Sequence, residues 1–86
     1  MDNNGFKVKV FDMEHGLVVY DDVKSVRIIS DDYNLLIMKD YLSILGEING
    51  SVNIKSSTDD VTFDNIRAFY MNSNNIFNLM IKDDEG

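Results

Sequence analysis

The sequence contains no cysteine, proline or tryptophan, and it has only one histidine and one alanine. The absence of cysteine excludes disulfides, thiol catalysis and zinc sites built on thiolates. Because His15 is the only histidine, any catalytic triad or metal site that uses imidazole must be built around it. A single alanine, the best helix former, stands against 12 aspartates and 10 asparagines, which favour turns. This composition strongly disfavours a helical bundle.

Positive charge is also scarce, since 8 basic residues face 15 acidic ones and give a net charge of −7. A phosphate backbone or an anionic membrane would repel such a chain at long range, so we expect no nucleic-acid partner. No stretch approaches the roughly 20 apolar residues of a membrane span. The polar start is unlike a signal peptide, so we expect a cytoplasmic chain without direct membrane insertion.

Apolar and polar residues alternate in short segments that are separated by Asn, Asp, Ser and Gly, and this pattern is typical of strands joined by turns. It predicts an all-β fold, a small β-sandwich of about eight to ten short, mostly antiparallel strands. We expect one domain over residues 1–86 with an ordered core at about 6–82. The segments are residues 6–10, 17–20, 26–28, 35–38, 51–55, 61–63, 68–71 and 76–81.

One segment is ambiguous by pattern alone. Apolar residues within 41–48 fit a helical stripe, but they also fit a strand, and Gly46 weakens a helix. The dipeptide that follows, Asn49-Gly50, is a strong signal for a hairpin turn.

Few residues suggest a catalytic, metal-binding or phosphate-binding role. The four Asp-Asp pairs lack the spacing of an EF-hand, and neighbouring acids on a strand point to opposite faces, so we interpret them as solvated turn residues. His15 lies between Glu14 and Gly16 in a predicted turn, which favours an exposed side chain. No glycine loop for binding phosphate is present. We therefore expect no catalytic residue, no metal ligand and no cofactor.

An apolar cluster at Tyr41, Leu42, Ile44 and Leu45 has two interpretations. Its members can all belong to the core, or part of the cluster can stay exposed and mark a protein interface. Phe69-Tyr70 supplies a further candidate, because neighbouring strand residues point to opposite faces and at least one of the two is then open to a partner.

Taken in order, the segments resemble the N-terminal β-sandwich of the epsilon subunit of F-type ATP synthases, over roughly residues 6–82. Two motifs depart from the family pattern: Lys39-Asp40-Tyr41 stands where Pro-Gly-His is usual, and Asn65-Ile66-Arg67 where Ser-Gly-Gly is common. The sequence thus resembles a divergent member. The resemblance is carried by Phe6-Lys7-Val8-Lys9-Val10, Gly16-Leu17-Val18-Val19-Tyr20, Val23-Lys24-Ser25-Val26-Arg27-Ile28 and Gly50-Ser51-Val52-Asn53-Ile54.

The resemblance implies a non-catalytic rotor subunit of the central stalk, which binds gamma and couples it to the membrane ring in proton-driven ATP synthesis. It also implies that residues 41–48 form a loop followed by a strand, and that the chain is peripheral to the membrane through the complex. The implied ring-facing loop contains Asp31, Asp32 and Asn34, and the implied gamma interface contains Tyr41, Leu42 and Leu45.

Family members often continue into a C-terminal helical hairpin that can inhibit the motor and in some members helps to bind ATP. The sequence given ends at Gly86, so we expect neither inhibition nor ATP binding. Alternatives are the equivalent subunit of a specialised rotary-ATPase-like motor and an unrelated β-sandwich protein-interaction adaptor. A hypothesis from a different class of function is that the chain is a small enzyme or a calcium-binding module.

Overall fold

Six β-strands account for most of the structure, a computed structural model that describes residues 5–82. No helix occurs in that range, so the predicted all-β fold is confirmed. The strands are fewer and longer than the sequence pattern indicates, because three of them run for 13 to 15 residues. They are β1 (Phe6–Asp12), β2 (Gly16–Ser30), β3 (Asn34–Ile37), β4 (Ile44–Ser56), β5 (Asp60–Ser73) and β6 (Ile76–Ile81).

The strands form a sheet that closes on itself. Its order is β1-β6-β5-β4-β2-β3, and β1 also pairs with β2, so five strands make a barrel and β3 adds to the edge of β2. The pairs are antiparallel, as the sequence predicts, except for the parallel pair of β1 and β6. Closure leaves few free strand edges in a small fold.

The barrel consists of two halves, because β4 and β5 stay paired along their length while their outer neighbours change. β2 pairs with β1 over its first part and with β3 and β4 over its second part. The first half contains residues 44–49 of β4, 66–73 of β5, β6, β1 and 16–22 of β2. The second half contains β3, 23–30 of β2, 50–56 of β4 and 60–65 of β5. Buried side chains from both halves form one core.

The long strands bend where they pass from one half to the other. Asp22 in β2 and Asn65 in β5 have left-handed backbone, with φ of 60° and 54°. Asp and Asn tolerate this conformation better than other residues with side chains. The same residues resemble turn signals in the sequence, which explains why β2 and β5 are each predicted as two short strands.

The hairpin predicted at Asn49-Gly50 is wrong. Both residues lie inside β4, where the register with β5 shifts between Gly50 and Val52. A Cβ atom on Gly50 would overlap the carbonyl oxygen of Ile29 on β2. This glycine therefore permits a close approach of two backbones at a strand bulge and does not form a turn.

The ambiguous segment is a loop up to Ser43 followed by β4, as the resemblance implies. The loop is tied to β5 by buried Asn72, whose Nδ2 donates a hydrogen bond to the Leu42 carbonyl at 3.1 Å. The core itself is formed by inward-facing side chains of the strands. Its members are Phe6, Val8, Val10, Val23, Val26, Ile28, Ile37, Ile48, Val52, Ile54, Ala68, Tyr70, Phe77 and Leu79.

Candidate interaction site

Two adjacent rows of side chains cross the outer surface of the first half. Register partners on neighbouring strands point to the same face of a sheet, so each row follows directly from the strand pairing. The first row is Glu47, Phe69, Met80, Phe11 and Leu17, and the second row is Leu45, Met71, Asn78, Lys9 and Val19.

Seven of these ten side chains are large, apolar and exposed. Their exposed fractions run from 40% for Phe11 to 73% for Leu45. Single exposed apolar residues are common on proteins, but a contiguous group of this kind marks a surface that another molecule covers. We call this group the apolar stripe, and its members are Phe11, Leu17, Val19, Leu45, Phe69, Met71 and Met80.

The charged side chains beside the stripe are arranged at one end and along its sides. At one end the Lys82 ammonium lies 3.0 Å from the Glu47 carboxylate and 4.3 Å from the centroid of the Phe69 ring. Along one side, next to Lys9 and Val19 of the second row, Lys7 pairs with Asp21 at 3.3 Å. Both pairs are solvent-exposed, so they contribute little to folding stability.

The three residues of the implied gamma interface lie in different environments. Leu45 is a member of the apolar stripe, and Leu42 is exposed in the loop of residues 38–43. Tyr41 is half-buried and packs against the core. The interpretation that all members of this cluster belong to the core is therefore wrong, because part of the cluster is exposed. Of the other candidate pair, Phe69 points outward into the stripe and Tyr70 points into the core.

Sequence reasoning missed most of the stripe, notably Phe11, Leu17, Val19 and Met80. A signal was present, because these residues lie next to inward-facing apolar residues such as Val10 and Leu79 and so break the usual alternation. Apolar residues on both faces of a strand indicate burial on both sides. Within residues 5–82 no element covers the outer side of these strands.

The implied ring-facing loop connects β2 to β3. The Ser30 amide donates to the Tyr33 carbonyl at 2.8 Å and closes the turn. Asp31 is held in place, because its amide donates to the Asn49 carbonyl at 3.1 Å and its carboxylate accepts a 3.1 Å hydrogen bond from the Asn49 side chain. Asp32 and Asn34 are exposed. The loop therefore presents carboxylates on a fixed backbone.

His15 lies in the turn between β1 and β2. The Asp12 carboxylate accepts hydrogen bonds from the backbone amides of Glu14 and His15 at 2.7 and 2.8 Å, and it lies 3.1 Å from His15 Nδ1. The backbone hydrogen bond from His15 is the main cause that lowers the pKa of Asp12, and the bond with Asp12 raises the pKa of His15. This exposed pair stabilises a turn.

The Asp-Asp pairs of residues 21–22, 31–32 and 59–60 lie in separate places, and the fourth pair, at 83–84, lies outside the described residues. Within residues 5–82 no three acidic or histidine side chains come together as a metal site. That same part of the chain has no helix that is long and apolar enough to cross a membrane.

Fold and surface together define a small all-β barrel that leaves one outer sheet face apolar and exposed. A chain from the cryo-EM structure of the central stalk and c-ring of the Tetrahymena thermophila mitochondrial ATP synthase has a similar fold, with a TM-score of 0.71 at 11% sequence identity. The likeness covers 90% of the present chain and 63% of that chain, so the present chain spans less than two thirds of its length. No protein-family model and no curated protein matches the sequence.

Proposed function

We propose that this chain is a non-catalytic central-stalk subunit of a rotary ATP synthase, equivalent to the epsilon subunit. The fold shared with a chain of an ATP synthase central stalk and c-ring structure supports this proposal. The epsilon-like order of sequence motifs is additional support, because it rests on the residues and not on the fold.

The exposed apolar stripe is the observation that carries the proposal. A rotor subunit must hold the stalk, and a contiguous apolar surface on a rigid sheet is the kind of surface that forms a lasting contact. We assign the contact with gamma to the stripe, which includes Leu45, together with the neighbouring loop that exposes Leu42. In this assignment Tyr41 supports the loop from beneath.

The loop between β2 and β3 is assigned to the membrane ring. Its carboxylates, Asp31 and Asp32, would meet hydrogen-bond donors on the polar loops of the ring, and Asn34 would add an amide at its edge. Such contacts at an exposed rim affect orientation and association rate more than affinity. The subunit would then couple gamma to the ring without chemistry of its own.

The decisive experiment is co-purification with alpha, beta and gamma subunits from the same organism. We expect the chain to co-purify with this assembly and the double variant Leu17→Ser, Met80→Ser to be lost from it, because two apolar contacts are removed. A matched control is Ser25→Ala, Thr62→Ala on the second half, which should co-purify normally. Failure of the unaltered chain to co-purify would contradict the proposal and favour an unrelated adaptor.

The ring contact has a separate test in membranes that contain the complete motor. Asp32→Lys should reduce the coupling of ATP hydrolysis to proton pumping, because a basic side chain replaces an exposed acid in the ring-facing loop. Asp59→Lys, which changes an exposed acid in the distant turn between β4 and β5, is the control. Equal coupling in both variants would remove this loop from the ring interface.

A further inference from the structure

The dipeptide Asn49-Gly50 has the sequence that favours deamidation of asparagine, because glycine has no Cβ atom to obstruct its own backbone nitrogen. In this reaction the Gly50 nitrogen attacks Cγ of Asn49 and closes a cyclic succinimide. The bond from Cγ to Nδ2 breaks, and Nδ2 leaves as ammonia with the proton of the Gly50 amide. Water then opens the ring to aspartate or isoaspartate. Asn49 is exposed, so water reaches it.

The structure has a separate use for each residue of this dipeptide. A Cβ atom at position 50 would overlap the carbonyl oxygen of Ile29, so this position requires glycine. The side chain of Asn49 donates a hydrogen bond from Nδ2 to the Asp31 carboxylate at 3.1 Å, which an ionised aspartate at the same position could not do. The reactive pair therefore arises from two structural requirements that meet where β4 runs beside β2.

Contacts on both sides of β4 hold this dipeptide in an extended backbone. On one side the Asn49 amide donates to Ser30 Oγ at 3.0 Å, and the Asn49 carbonyl accepts a hydrogen bond from the Asp31 amide at 3.1 Å. On the other side both residues of the dipeptide are in register with β5. Ring closure needs a rotation of the Asn49 backbone out of the extended range, which turns the Gly50 nitrogen towards Cγ. This rotation breaks the contacts, so the reaction requires local opening of β4.

Deamidation would change the contact between β4 and the loop at residues 30–34. The Asn49 nitrogen that donates to Asp31 would be replaced by a carboxylate oxygen, so an attractive contact at 3.1 Å would become a repulsive contact between like charges. Isoaspartate would in addition carry the main chain through Cγ, which lengthens the backbone beside the close approach at Gly50. Both products would therefore loosen the loop.

We propose that Asn49-Gly50 is a deamidation site that is protected in the paired strand, reacts when β4 opens locally, and then releases the loop at residues 30–34. No other reactant is needed, since asparagine and water give aspartate or isoaspartate and ammonia. Because the ammonia is lost to solvent, each reaction leaves a permanent carboxylate at position 49. The inference goes beyond the proposed function and does not depend on it, because the reaction needs only this chain and water.

Peptide mapping by mass spectrometry, after incubation of the purified chain at neutral pH, measures the reaction. In urea that unfolds the chain, Asn49 should deamidate faster than Asn53, which precedes isoleucine, and about as fast as Asn4, which also precedes glycine. In the folded chain the rate at Asn49 should be lower by about tenfold or more, because only the locally open fraction reacts. Equal rates at Asn49 and Asn53 in urea, or equal rates at Asn49 with and without urea, would overturn the inference.

Two pairs of variants test the protection and the release. Ser30→Ala removes the hydroxyl that accepts the Asn49 amide and should raise the rate at Asn49 in the folded chain, whereas Ser25→Ala, also on β2, should not. Both should react at the same rate in urea. Asn49→Asp should increase hydrogen exchange in residues 30–34, and Asn78→Asp, with an equal change of net charge, should leave it unchanged. An unchanged folded-state rate in Ser30→Ala, or unchanged loop exchange in Asn49→Asp, would overturn the inference.

Discussion

The two halves of the barrel have similar interiors and different exteriors. Inward-facing residues of both halves are almost entirely apolar and form one core. Outward, the second half has the register row Leu36, Arg27, Asn53 and Thr62, whereas the first half has the apolar stripe. In the second half Asn53 donates hydrogen bonds to the side chains of Asp60 and Thr62, at 2.7 and 2.9 Å.

This contrast separates what the fold requires from what it leaves open. Because both halves close the same core, folding does not require apolar residues on the outer face of either one. The second half uses this freedom for polar side chains that bond with one another. The apolar stripe of the first half has no role in the core, and its composition is therefore best explained by a partner.

The largest expected effect comes from a change that disturbs both halves at once. Gly50→Ala would force a Cβ atom against the Ile29 carbonyl, a backbone atom that cannot move without shifting β2. We expect it to lower the free energy of unfolding by about 3 kcal/mol or more, as severe substitutions do. Denaturation in urea measures this loss.

Gly16→Ala is the control for that prediction. Gly16 has a positive φ of 73°, but a Cβ atom there would meet no other atom within 4 Å. Its cost should be limited to about 1–2 kcal/mol for the left-handed backbone. If both variants lose the same stability, the close approach of β2 and β4 does not limit the residue at position 50.

The contrast between the faces is tested most directly by single truncations. Met80→Ala in the stripe should weaken binding of the stalk partner by about 2 kcal/mol, roughly thirtyfold, if Met80 lies near the centre of the interface. Thr62→Ala on the second half should leave affinity within twofold. Titration calorimetry with the purified partner gives both values, and similar losses would mean that the two faces do not differ in function.

Asn72 offers a sharper test of how the first half holds its neighbouring loop. Its Oδ1 atom is buried without a hydrogen-bond partner among the described residues, while Nδ2 binds the Leu42 carbonyl. Asn72→Ala should cost about 1 kcal/mol, the net value of one hydrogen bond. Hydrogen exchange should increase in residues 38–43 and stay unchanged in β3. Asn78→Ala on the outer face is the control, and equal protection of the loop in both variants would contradict this role for Asn72.

The smallest effect is electrostatic and concerns the turn next to the stripe residue Leu17. Because the pKa of His15 is raised, its bond with Asp12 adds stability below the ordinary histidine pKa of 6.5, and this is lost as pH rises through the raised value. The lowered pKa of Asp12 acts in the opposite direction. Its contribution to folding stability is present above pH 3.8, the ordinary pKa of aspartate, and is lost as pH falls through the lowered pKa.

NMR titration of the His15 ring tests this pair. The pKa of His15 should lie above 6.5 in the unaltered chain and fall towards it in Asp12→Asn, which keeps the turn because the amide oxygen still accepts backbone hydrogen bonds. Glu14→Gln should change the His15 pKa much less, because the charge of Glu14 affects His15 less than its hydrogen bond and charge contact with Asp12 do. An unchanged pKa in Asp12→Asn would contradict the pairing.

The sequence predicts the all-β class because alternation and turn composition are local signals. It does not predict which turn signals lie inside strands: Asp22, Asn65 and Gly50 have backbone roles that depend on which strands meet there. The sequence predicts that Asp31 and Asp32 lie in a loop. It does not predict the hydrogen bond from Asn49 that anchors Asp31, because the two residues are 18 positions apart. The stripe was missed for the same reason, since its members come together only through the strand register.

The sharing of β2, β4 and β5 between the two halves has a mechanical consequence. A load applied to the outer face of the first half passes along three covalent backbones into the second half, in addition to the side-chain contacts of the core. The halves therefore cannot slide past one another without breaking strand pairing at Gly50 and its neighbours. A twist imposed at the stripe would reach the opposite end of the molecule as rotation of one rigid piece.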